Sequence, residues 1–137
     1  MGQFLPNINS DDQERSAKFF VDIINHFGAE NFYKSFYVTN ISWVGFVKDN
    51  KNLNYYDLPM KAKKFVYDSF EFEMSIIKPK KIICLGKEVQ ATAKELFNDK
   101  IDSDTLLAHP NYCAFPSNYD EQKKKYLETL KKYVDKN

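Results

Sequence analysis

The stretch KKIICLG, residues 80–86, constrains this chain more than any other. It is apolar from Ile82 to Leu85, with Pro79 ahead of it and Gly86 closing it. A run this short with a stop on either side is a strand covered on both faces, the kind that parallel sheets bury. Gly86 turns the chain directly into a helical pattern over about 87–98, where Val89, Ala93, Leu96 and Phe97 share one side.

The same alternation runs through the rest of the sequence. Ser10 with Gln13 forms a capping box, and Ala17, Phe20, Val21, Ile24 and Phe27 follow at helical spacing until Gly28 stops the pattern, so a first helix is expected over about 11–27. FYVTNIS, 36–42, is dense in aromatic and β-branched residues and is predicted as a strand. WVGFVKDNKNLNYYDLP, 43–59, has turn formers throughout and is predicted as a long loop, of a length that usually carries function or disorder. Pro59 suits the first turn of a second helix, with Ala62, Phe65, Val66, Ser69, Phe70 and Ile77 facing inward and Pro79 ending it. DTLLAHP, 104–110, is a third strand. Ser117 and Asp120 cap a last helix over about 118–135, with Tyr126, Leu127, Leu130, Tyr133 and Val134 inward. The order α, β, loop, α, β, α, β, α argues an α/β fold: a parallel sheet covered by helices, with ligands at the carboxyl ends of the strands. Those ends carry Asn40, Gly86 and His109.

Composition excludes several classes. With 137 residues, 43% hydrophobic and 28% charged, the chain suits one globular domain. A net charge of +1 gives no global pull toward nucleic acid, although lysines cluster at 61–64, 78–81, 123–125 and 131–132. No apolar run reaches membrane-spanning length, so no membrane partner is expected. The N-terminal residues do not read as a signal peptide, and with only two cysteines, Cys84 and Cys113, a reducing, cytoplasmic setting is expected. There is no Gly-x-Gly-x-x-Gly and no Walker loop, and no cysteine or histidine pair has metal-ligand spacing, so neither metal nor cofactor is expected.

Two residues carry the candidate chemistry. His109 ends an apolar run and Pro110 stops further pairing; the imidazole either caps a nearby loop or meets a ligand. Asn40 follows Tyr37-Val38-Thr39, and its amide either turns the chain or reads the edge of a nucleobase with one acceptor and two donors. His26, late in the first helix, suits the helix dipole and is given no further role.

FYVTNISWVGFVKDNKNLNYYDLP, SIIKPKKIICLGKEVQATAKEL and LLAHPN, in this order and spacing, resemble the uracil-DNA glycosylase superfamily, nearest to its single-strand-selective monofunctional branch. The likeness covers about residue 16 to the end. It implies a three-layer αβα domain over residues 1–137 with a short, mainly parallel sheet. It also implies a base-excision DNA repair hydrolase that takes a flipped uracil-type base from DNA. Carried over by position, Asn40 reads the uracil edge and His109 donates to the uracil carbonyl as the glycosidic bond breaks. The segment after the histidine enters the DNA, with Tyr112 or Phe115 as the wedge where the family has Ser-Pro. The family's first strand, with its water-positioning Gly-Asn-Pro-type segment, has no counterpart here, so an incomplete N-terminus or a partner chain that completes the sheet is expected. An inactive base- or DNA-binding module, or a protein-interaction domain on the same scaffold, is the alternative.

Overall fold

The computed structural model describes residues 10–42, 46–49 and 51–134. These fall into two compact units: residues 10–39 with 107–134, and residues 40–106. The architecture is mixed α/β, dominated by helix.

The first unit contains α1 (Ser10–Phe27), α2 (Ala29–Ser35), α5 (Pro110–Cys113) and α6 (Tyr119–Leu130). In α1 the expected inward face is rotated. Phe19 and Ile23 are fully buried beside Ser16, whereas Val21 is exposed. Seven apolar residues between Ala17 and Phe27 cover more than half of the helix circumference, so periodicity alone does not select a face. Packing selects Phe19, whose ring meets Tyr119 at 5.3 Å and Tyr126 at 5.0 Å, both edge-on. Gly28 separates α1 from α2 with φ at +84°, a backbone state that glycine adopts without strain. Helix α2, unforeseen in the sequence, buries Phe32 against Phe20 and Phe36. The expected strand over 36–42 does not form. Phe36 donates its N–H back to the Phe32 carbonyl at 3.0 Å as a helix cap, and the following residues run without ladder pairing. A β-prone composition makes a strand only where a neighbouring strand supplies hydrogen bonds.

In the second unit, the expected loop over 43–59 is replaced in its described part by a hairpin. Strands β1 (Phe46–Lys48) and β2 (Lys51–Leu53) pair antiparallel with Lys48 opposite Lys51. Asp49 takes φ +54°, as a two-residue hairpin turn requires. A 3-10 turn (Tyr55–Asp57) leads into α3 (Met60–Ile77), for which Pro59 is the residue before the helix rather than its first turn. Lys78 ends α3 in the left-handed region and Pro79 prevents its continuation. Strand β3 (Cys84–Leu85) and β4 (Leu106–Leu107) form a two-stranded sheet joined through α4 (Lys87–Phe97) and a 3-10 turn (Asn98–Lys100). Its parallel sense is fixed by the Lys81–Asp102 bridge and by N–H donation from Ile82 to Asp102 at 2.8 Å and from Cys84 to Thr105 at 3.0 Å. The ladder is shorter than the apolar runs that predict it.

The core of this unit joins Ile41, Leu58, Val66, Phe70, Met74, Cys84, Ala93 and Phe97, with Phe70 and Phe97 rings 5.7 Å apart. Burial along α3 corrects the sequence expectation: Val66, Phe70, Glu73 and Met74 are inward, while Phe65 stands out in solvent and Ile77 is partly exposed. At the other end of the chain, Tyr126 and Leu130 of α6 are buried as expected, but the helix ends at Leu130 and Tyr133 is partly exposed. Asn118 rather than Ser117 precedes α6. Truncating Phe19 or Phe70 to alanine is expected to cost about 3–5 kcal/mol, read from urea unfolding midpoints, because each leaves a cavity among aromatic neighbours.

Candidate functional site

His109 lies two residues beyond β4 and directly ahead of α5. Pro110 occupies the first helical position, where its missing N–H costs nothing. The Asn111 backbone N–H donates to Nδ1 of His109 at 3.0 Å, so the imidazole caps this short helix. The capping role anticipated for this residue is thus present, and it has a chemical consequence. With Nδ1 accepting, the neutral ring carries its proton on Nε2, which becomes a hydrogen-bond donor. His109 is exposed, and partial desolvation lowers its pKa.

The backbone leading to His109 is held from below. The Ala108 carbonyl accepts from the Tyr126 hydroxyl and from the Cys113 thiol, the latter at 3.5 Å. Burial raises the pKa of both donors, so each keeps its proton. Cys113 is therefore a structural thiol; Cys84, pushed up to about 11 by desolvation, is equally unsuited to nucleophilic work.

Beyond the histidine, the chain turns tightly. Asn118 donates its side-chain N–H to the Tyr112 carbonyl at 3.1 Å and its backbone N–H to Phe115 at 2.9 Å. Tyr112 and Phe115 are exposed by about half of their surfaces. The Arg15 guanidinium lies over the Phe115 ring at 5.9 Å, and the Ser16 hydroxyl donates to the Asn111 side-chain carbonyl at 3.4 Å. Arg15, Asn111, Ala114 and Phe115 line a shallow dip in the surface. None of these α1 contributions is legible from local sequence, since Ser16 and Asn111 lie 95 positions apart. The helix after His109 did have a signal, a proline in first position behind a capping side chain.

Asn40 is exposed, outside any strand, at the start of the second unit, where the next residue, Ile41, enters that unit's core. His109, Tyr112 and Phe115 belong to the first unit. Among the described residues no group of three or more histidine, cysteine or acidic side chains is placed to hold a metal ion, and no helix is long and apolar enough to cross a membrane.

No protein-family model, curated protein or solved structure matches the chain.

Two outcomes follow from the geometry. Replacing Tyr126 by phenylalanine removes the stronger donor to Ala108 and is expected to cost about 1–3 kcal/mol in urea unfolding. His109 has a lower pKa folded than unfolded, so its contribution to stability is complete above about pH 6.5 and is lost as the pH falls through that value toward the folded pKa. Urea midpoints measured between pH 8 and pH 5 should decline more in the native chain than in His109→Asn, which keeps a capping side chain without a titrating ring.

Proposed function

We propose that the chain is a uracil-DNA glycosylase-like protein that receives a flipped uracil-type base and hydrolyses its N-glycosidic bond. The observation that carries this reading is the Asn111 N–H donated to His109 Nδ1, which leaves Nε2 of the neutral ring as its hydrogen-bond donor. As the glycosidic bond breaks, negative charge moves onto the leaving base. A donor fixed where that charge develops, in a ring whose pKa is lowered by partial desolvation, lowers the barrier without reorganising, a class of effect worth about 3–4 kcal/mol. Asn40 supplies the amide that pairs with the uracil edge and mismatches cytosine. Tyr112 and Phe115 fill the vacated step in the DNA, with Arg15 beside them as a cation suited to phosphate. In this reading the domain has a three-layer αβα arrangement, and a partner chain completes the sheet and positions the attacking water.

A second reading, an inactive base- or DNA-binding module, is favoured by the same exposed aromatic pair with its neighbouring arginine, which suit stacking on unpaired bases whether or not hydrolysis follows.

The test is release of uracil from a single-stranded oligonucleotide, followed by alkaline cleavage of the abasic product. His109→Ala is expected to lower release by about 100- to 1,000-fold. Asn40→Asp is expected to relax the choice between uracil and cytosine. Full activity in the His109 variant would falsify the assigned role. Binding that weakens with salt but releases no base selects the second reading, and absence of any affinity for DNA removes both.

A further inference from the structure

The hydrogen bond that sets the His109 tautomer lies where local structure alone holds it weakly. Helix α5 is a single turn, and an isolated turn is marginal in water. His109 and Asn111 are both exposed, so water competes for the Nδ1 acceptor. Tyr126 and Cys113 fix the chain just before the histidine through the Ala108 carbonyl. Those bonds hold the acceptor side; the donor, Asn111, needs a hold of its own.

That hold comes from α1. Ser16 is 6% exposed, and its hydroxyl donates to the Asn111 side-chain carbonyl at 3.4 Å. Alanine would suit a buried helical position better, in helix propensity and in burial, so a hydroxyl there is informative. Asn111 is tied at two atoms: its backbone N–H to the imidazole and its side chain to α1.

We infer that Ser16 is a positioning residue for His109. Through Asn111 it holds the N–H that occupies Nδ1, and so keeps the proton of the neutral ring on Nε2. Its consequence for base release rests on the glycosylase reading above; its effect on the ring does not.

Nitrogen NMR of the His109 ring in the full chain, at about pH 8 where the ring is neutral, tests this. The native ring is expected to show protonation at Nε2. In Ser16→Ala the two ring nitrogen shifts are expected to converge as both tautomers become populated, and the Asn111 amide proton to exchange about three- to tenfold faster. Ser16→Thr, which keeps the hydroxyl, should restore the native pattern. Asn111→Ala, at an exposed position, tests the same link without touching α1: it should reproduce the ring shifts of Ser16→Ala, and combining the two should add nothing. In uracil release, Ser16→Ala is expected to lower kcat by about three- to tenfold and to leave KM within about twofold. Unchanged ring shifts in Ser16→Ala overturn the inference. So does a further ring shift when Ser16→Ala is added to Asn111→Ala, or a Ser16→Thr ring that stays like that of Ser16→Ala, since the hydroxyl would then not act through Asn111. An active chain whose kcat is indifferent to Ser16→Ala overturns it as well. A native chain that releases no uracil removes the glycosylase reading and leaves the ring shifts to decide the role of Ser16.

Discussion

The Ala108 carbonyl is the point on which the candidate site rests. It accepts a hydroxyl from Tyr126 and a thiol from Cys113, and so ties the end of β4 to α5 and α6 at once. A part-buried carbonyl with two donors cannot rotate without leaving at least one polar group unpaired, which is costly where water is largely excluded. The next residue is His109, and its orientation inherits that rigidity. Tyr126 in turn is fixed by the edge of Phe19, so α1 contributes to the placement of a ring 90 residues downstream.

The division of labour within that short segment follows from its sequence. Proline ends strand pairing and begins a helix in the same step, and the histidine before it satisfies a helix N–H that would otherwise lack a partner. The cap uses one nitrogen and fixes the other as a donor. A residue that would otherwise only cap the start of a helix thereby acquires a defined tautomer on an exposed ring.

Much of the helical framework was legible because it depends on local signals. The Gly28 stop, the Lys78–Pro79 break and the Gly86 turn into α4 all lie where glycine, a left-handed residue and proline dictate. The strands were less legible. FYVTNIS has the composition of a strand, yet pairing needs a neighbour, and no local rule reports whether one is present. The Asp49 turn was a missed signal of the opposite kind: Asp-Asn between two short runs favours a hairpin, but the runs are only three residues each. Faces of α1 and α3 were misassigned for one reason. Both helices are apolar over much of their circumference, so long-range packing rather than periodicity decides which side is inside. At the site, His109 was visible as an oddity in the pattern, whereas Arg15, Ser16 and Tyr126 reach it only through tertiary packing.

The two units also differ in how the chain composes them. Residues 40–106 form one unit from a single continuous stretch, while the other is assembled from 10–39 and 107–134. During synthesis the continuous unit is complete before its host has received its second half. Closing the host requires bringing together segments separated by that whole stretch, and a prefolded insert shortens the effective loop compared with a disordered one. The connectivity thus sets the longest loop closure at one place, where Phe19 meets Tyr119 and Tyr126 across the whole continuous stretch.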